Sequence, residues 1–277
     1  MKKFIVDFEK LYLCVKIKKS KYKGEKMNVI EIKELTKYYY LGRKKVVIGL
    51  ENVSFSVEEG EIYGILGPNG SGKTTCLKLM LGILYPTKGE ISILGKDQFD
   101  IEMKKNVGFL PENPYYYDYL TGPELLKFYG RLFEIPDKII EERIEKLLYL
   151  VKLHEAKKLA LRHYSKGMLE RIGLAVSLIN DPKILILDEP TTGLDPIGCI
   201  ETRDLLLQLK KEGKTILLSS HFLSEVERVC DRIAIFHKGY LLATGPLKEL
   251  IKKYNADGLE DLFVKTIEEF DKKGENK

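Results

Sequence analysis

Gly67-Pro68-Asn69-Gly70-Ser71-Gly72-Lys73-Thr74-Thr75 decides how this chain folds. The spacing is Gly, four residues, then Gly-Lys-Thr, the P-loop spacing in which backbone N–H groups cradle phosphate oxygens. Before it, Glu61-Ile62-Tyr63-Gly64-Ile65-Leu66 reads as an apolar strand; after it, Cys76-Leu77-Lys78-Leu79-Met80-Leu81 has helical spacing. A strand feeding a Gly-rich turn into a helix N-terminus makes an anion site, because unpaired N–H groups and the helix dipole both face the ligand. The glycines let the backbone approach without a Cβ clash. Lys73 is placed to reach the β- and γ-phosphates, and the Thr74 hydroxyl to ligate Mg²⁺. The competing reading is an ordinary Gly-rich turn, which the flanking strand and helix disfavour.

Working outward, Val29–Ile32 reads as a strand, and Val53–Val57 alternates as a half-buried one. Glu90–Ile93 and Val107–Leu110 are short strands. Thr121-Gly122-Pro123-Glu124 is a capping-box start to a helix through Phe133. A second helix follows Pro136-Asp137 to about Val151, and a third runs from Ser165 to Leu178. This stretch, about 112–178, is expected to be an inserted helical subdomain. Lys183-Ile184-Leu185-Ile186-Leu187-Asp188-Glu189-Pro190 is a continuous apolar run, the pattern of a strand buried on both faces of a parallel sheet. It ends in two carboxylates, where open α/β sheets bind ligands. Asp195-Pro196 caps the next helix. Thr215–Ser219 is another buried strand, delivering Ser220-His221. A hairpin across Lys238-Gly239, short helices at Leu247–Tyr254 and Leu259–Glu269, and a loose polar tail at Lys272–Lys277 complete the expectation.

Asp188 is the expected Mg²⁺ partner opposite Thr74. Glu189, one residue on, is placed to polarise a water in line with the γ-phosphate as a general base. With these residues in place, the chain resembles an ATP-binding-cassette (ABC) ATPase over nearly all of residues 28–245. The family's Leu-Ser-Gly-Gly-Gln signature stands here as Tyr164-Ser165-Lys166-Gly167-Met168. Gly193-Leu194-Asp195 matches its D-loop and Ser220-His221 its switch histidine. The resemblance implies an α/β fold, a P-loop NTPase with a mainly parallel core sheet, an N-terminal antiparallel β subdomain and the helical insert. It also implies ATP as substrate and a head-to-tail pair of cassettes, identical or different. ATP is then sandwiched between the P-loop of one and the signature of the other. Ser165 and Gly167 would face the γ-phosphate across that interface, Ser165 as N-cap of its helix. His221 would hold the γ-phosphate and the water, and Asp195 would orient the partner's P-loop or simply cap its helix. An aromatic before the P-loop stacks on adenine in the family; of Tyr38-Tyr39-Tyr40, Tyr39 fits best, the alternative being packing on the sheet edge. The family's hinge Gln near the metal is replaced by Glu112, a candidate metal ligand that would repel an uncompensated γ-phosphate.

The resemblance further implies a separate membrane permease as partner and a place on the inner face of the cell membrane. Tyr115, Tyr116, Tyr117 and Tyr119 either contact that permease or fill the subdomain core. Gly258–Phe263 and the Tyr-Ser-Lys-Gly-Met form resemble the drug- and ion-export branch. The alternative is a soluble cassette acting on ribosomes or DNA, but its relatives carry two cassettes or a long coiled coil. A P-loop kinase or GTPase would not explain 164–168 with His221, and no Asn-Lys-X-Asp guanine reader is present.

Bulk properties agree. The 277 residues, 44% hydrophobic, can bury a substantial core. Residues 1–26 carry nine Lys against Asp7, Glu9 and Glu25, a net of +6, which leaves −1 for the rest of a chain of formal charge +5. The body has no nucleic-acid footprint by net charge. The four cysteines make neither a metal spacing nor a disulfide framework, which suits a reducing cytosol. The basic arm 1–26 is a poor secretory signal. It reads either as an amphipathic anchor on anionic lipid or, the favoured reading, as an extension ahead of a true start at Met27. Residues 246–277 are expected to form a helical tail.

Overall fold

The computed structural model describes residues 27–42 and 45–275; the readings of the 1–26 arm lie outside them. Ten strands form one sheet in the order β5-β4-β1-β2-β10-β9-β3-β8-β7-β6. They are β1 (Asn28–Leu41), β2 (Lys45–Glu58), β3 (Ile62–Leu66), β4 (Lys88–Ile93), β5 (Lys96–Asp97), β6 (Val107–Leu110), β7 (Ile184–Asp188), β8 (Thr215–Ser220), β9 (Arg232–His237) and β10 (Tyr240–Pro246). Strands β9, β3, β8, β7 and β6 run parallel to one another, while β10 pairs antiparallel with β9 and parallel with β2. β1, β2, β4 and β5 pair antiparallel. The helices are α1 (Lys73–Met80), α2 (Ile101–Lys104), α3 (Gly122–Leu132), α4 (Asp137–Leu150), α5 (Lys166–Leu178), α6 (Pro196–Lys211), α7 (Leu223–Val229), α8 (Leu247–Lys253) and α9 (Leu259–Glu275).

The parallel strands are buried on both faces, and the period of two sends alternate residues to two cores. Ile184, Ile186, Tyr63, Ile65, Leu217 and Phe236 pack with Cys76, Leu77, Leu79 and Met80 of α1 and with the antiparallel strands. Leu185, Leu187, Ile62, Leu66, Ile216 and Leu218 face the other way, into a core shared with α3, α4, α5 and α6. At roughly 25 cal/mol per Å² of apolar area buried, each of these side chains contributes about 1.5–3 kcal/mol. The shared core holds the ends of β3, β7 and β8 in fixed register.

Several elements differ from the sequence reading. β1 does not stop at Ile32 but continues through the three tyrosines. The alternation that marks a strand is interrupted by register shifts between Ile32 and Leu35 and between Leu35 and Lys37, with Glu34 at φ +50. Such bulges insert residues that break the period. The short helices α2 and α7 gave no readable periodicity. The tail is not loose as far as Glu275: α9 runs through it. Its polar residues carry little pattern, yet Phe270 and Asp271 are held by β9 and β10.

Candidate active site

Register brings the candidate residues to one edge. Leu66 pairs with Ser220, and Asp188 with Ser219, at the C-terminal ends of β3, β8 and β7. The residues that follow, Gly67, Glu189 and His221, therefore emerge side by side. Lys73 opens α1, and its Nζ donates to Gly67 O at 2.8 Å and to Pro68 O at 3.4 Å. The same Nζ lies 3.3 Å from Glu189 Oε1, both side chains being buried. Glu189 Oε2 accepts from His221 Nδ1 at 2.6 Å and from Thr192 Oγ1 at 3.4 Å. With Nδ1 as donor, Nε2 is the ring nitrogen left free of that bond. Glu189 itself sits at φ +54, a region costly for a residue with a Cβ. Its N–H is held by both Ser219 Oγ, at 3.0 Å, and Ser219 O, at 3.2 Å.

Asp188 is buried and in place beside the P-loop. Its Oδ1 accepts from Ser219 Oγ at 2.5 Å and from Thr74 Oγ1 at 3.5 Å. A hydroxyl and a carboxylate converging on one point suit a hard cation that takes only one or two protein ligands, the habit of Mg²⁺. Among the described residues no cluster of three or more His, Cys, Asp or Glu makes an all-protein metal cage. Ser219 and Thr192 were missed by sequence reading. Ser219 lies in a predicted strand, but only the pairing of β8 with β7 reveals that its hydroxyl bridges Asp188 and Glu189.

The loop itself is shaped for phosphate. Gly72 has φ +108, and a Cβ there would lie 2.6 Å from Gly49 O. Ser71 Oγ is buried and makes no hydrogen bond within the chain, so a phosphate oxygen would satisfy it. Asn69, Gly70, Ser71, Gly72, Lys73, Thr74 and Thr75 line a cleft of about 350 Å³ with Tyr39, Val47, Ile48, Glu112 and Glu189. Of the tyrosine trio only Tyr39 lines it, its hydroxyl 3.3 Å from Thr75 Oγ1. Tyr38 instead donates to Glu51, and Tyr40 is exposed. Glu112 stands exposed at the cleft's rim.

Ser165, Gly167 and Asp195 do not line this cleft. Ser165 caps α5, its Oγ accepting from Met168 N at 3.3 Å, and is exposed. Asp195 caps α6, accepting from Gly198 N at 2.7 Å. The two caps are neighbours: a Cβ on Gly167 would lie 3.4 Å from Leu194, and Lys166 packs over Gly193. The Tyr115–Tyr119 stretch divides. Tyr115 is 98% exposed, and Tyr117 and Tyr119 are also exposed. Tyr116 packs against the core, edge-on to Tyr129, and burial pushes its hydroxyl pKa up. Nearby Glu170 is buried with Oε2 unpaired. Burial first pushes its carboxyl up to about 7, Lys166 opposes this, and Glu112 adds to it.

The comparisons with known proteins agree with this geometry. The family model described as "ABC transporter" matches residues 50–192. An uncharacterized ABC transporter ATP-binding protein of Nostoc sp. is 49% identical over 82% of this chain and 69% of its own. The bacitracin transport ATP-binding protein of Enterococcus faecalis is 40% identical over 81% of this chain and 71% of its own. A dimeric ATP-binding cassette in a post-hydrolysis state, bound to ADP and Pi, superposes with a TM-score of 0.73 at 27% identity, covering 79% of this chain and 98% of its own. With half of the chain matched by the family model and its parallel strand ends, P-loop and paired carboxylates at one sheet edge, the chain belongs to the ABC transporter family, as an ATP-binding subunit with the ABC-type ATPase fold and activity.

Proposed function

We propose that this subunit drives transport through a separate permease by ATP-dependent closure of two cassettes, in a body spanning 28–245 with a helical subdomain at about 112–178 and a tail from 246. The observation that carries the reading is the buried contact of Lys73 with Glu189, itself bonded to His221, at the mouth of the P-loop. ATP phosphates take the P-loop N–H groups and Lys73. Tyr39 stacks on adenine. Thr74 and Asp188 would hold Mg²⁺, with Glu112 at the cleft's rim a further candidate ligand; when bound, the ion would neutralise charge on the phosphate oxygens. Glu189 takes a proton from the attacking water, and His221 fixes the carboxylate and faces the γ-phosphate. Ser165 and Gly167 of a second chain, identical or different, cover the phosphate from α5, with Asp195 alongside. The dimeric cassette with ADP and Pi supports that pairing.

Tyr117 lies 5.8 Å from both Tyr119 and Phe128, ring to ring, forming an exposed aromatic patch on the helical side. This patch is proposed as the seat of the permease, placing the subunit at the inner membrane face. Among the described residues no helix is long and apolar enough to cross a membrane. The branch proposed is the drug- and ion-export one, and the name of the bacitracin transport relative supports a drug as cargo. Tyr117→Glu is expected to uncouple transport in vesicles while isolated ATPase activity survives. The test of the whole reading is light scattering of Glu189→Gln. ATP with Mg²⁺ should double the 31.8 kDa mass, and a variant that stays monomeric at saturating ATP overturns a sandwich of two identical cassettes.

A further inference from the structure

Gly239 ties the P-loop to the far end of the chain. Its N–H donates to Ser71 O at 3.0 Å, and its own carbonyl accepts from Glu51 N at 2.8 Å. Lys238 and Gly239, at φ +50 and +86, close the β9–β10 hairpin between the paired His237 and Tyr240. Two consecutive left-handed residues are the mark of a type I′ turn. Every other residue of that turn is held from α9. Asp271 Oδ1 accepts from Lys238 Nζ at 2.8 Å and lies 3.4 Å from His237 Nε2. The Phe270 ring sits edge-on to His237, centroids 5.7 Å apart, and tilted against Tyr240 at 5.2 Å.

We propose that Phe270 and Asp271 are positioning residues for the phosphate loop, acting through the Lys238-Gly239 turn. The peptide unit is planar and trans, so the Ser71 carbonyl and the Gly72 N–H point in opposite directions. Pinning that carbonyl on Gly239 keeps it out of the anion cradle and commits the Gly72 N–H to the opposite side. A turn free to rock would let the peptide rotate, bringing a carbonyl dipole towards negative phosphates. Gly72 is itself packed on the turn as well as on Gly49 and Leu50, since a Cβ there would lie 3.6 Å from Gly239 Cα, so a shift of the turn is felt directly at Gly72. The inference rests on residues 67–75 being the phosphate cradle.

The test uses the full chain and a fluorescent ATP analogue, with steady-state ATPase assays alongside. Phe270→Leu with Asp271→Asn should raise both the analogue Kd and the ATP KM about threefold to tenfold, with kcat little changed, as expected for losing a half-exposed ion pair and its aromatic support. Asp271→Glu should restore affinity. Lys265→Ala is the control: Lys265 pairs with Asp261 and the Asn255 carbonyl on the same helix, away from the turn. It should lower thermal stability without moving Kd. An unchanged Kd in the double variant, or an equal rise in Lys265→Ala, overturns the proposal. Asp271→Asn alone, isosteric at a half-exposed site, carries the test at about a threefold rise should the double variant fail to fold. Lys73→Ala separates the two readings: tight analogue binding there would refute the phosphate cradle itself.

Discussion

On the P-loop edge, nearly every candidate side chain is already engaged within one chain: Lys73 with Gly67 O and Glu189, Glu189 with His221, and Asp188 with Ser219 and Thr74. At the start of α5 the situation is different. Ser165 satisfies the N–H of Met168, but it and Lys166 are exposed, and no part of 164–168 lines the cleft. The first region is a buried network, costly to leave partly satisfied, and so it is completed by its own neighbours. The second is a helix N-terminus left open at the surface. Such an end holds N–H groups without intrahelical partners, which an anion from outside can take. One chain thus closes a hydrogen-bonded network at the P-loop edge and leaves the α5 N-terminus open to solvent.

Four measurements would break or sharpen this contrast. The largest effect belongs to the buried edge. Glu189→Gln keeps the size of the side chain but removes the proposed base, its amide being able to accept from Lys73 or from His221 but not from both, so phosphate release should fall about 10²–10⁴-fold with ATP binding retained; near-normal turnover would remove Glu189 as base. Tyr39→Ala should weaken ATP binding by about 1–3 kcal/mol, the usual worth of a stacked base, as read by nucleotide titration. If affinity holds, Tyr39 only supports Thr75. Ser165→Ala should slow turnover about fivefold, losing about 1 kcal/mol of capping, while single-chain ATP affinity stays the same. A loss of affinity instead would mean that α5 serves its own chain's nucleotide.

The smallest effect concerns the ground between the two regions, where Glu170 is buried below Lys166. Its carboxyl is raised from 4.5 to about 7, so between those values the folded chain holds a proton that the unfolded chain has released. Stability therefore falls as pH rises from 4.5 to about 7 and is level above it. Glu170→Gln removes this dependence. It should be about 1 kcal/mol more stable than the parent at pH 8 and close to equal at pH 5, measured by denaturant melts. An identical pH profile for both would show that Glu170 reaches solvent.

Much of this was legible in the residues. Local signals suffice where each has a nearby physical cause: the Gly spacing of 67–75, the continuous apolar run into Asp188-Glu189, and the caps at Thr121, Ser165 and Asp195. Where the cause is distant, reading failed. β1 runs through Tyr38, Tyr39 and Tyr40 because bulges near Glu34 erase the period while pairing with β2 continues. Ser219 and Thr192 gain their partners only when β8 lies beside β7 and the chain turns back after Glu189. Tyr116 and Tyr117 are chemically alike and adjacent, yet one packs into the core and the other faces solvent.

Residue order alone suffices for the P-loop, the paired carboxylates on a buried strand, the helix caps and the family, because backbone conformation, capping and strand burial depend on residues within a few positions of one another. Only the tertiary structure decided which oxygen faces which donor at the sheet edge, which tyrosine enters the cleft, and that α9 grips the turn against Ser71. Those contacts join residues as far apart in the chain as Ser71 and Gly239, and their partners are chosen by strand order and packing rather than by any local pattern.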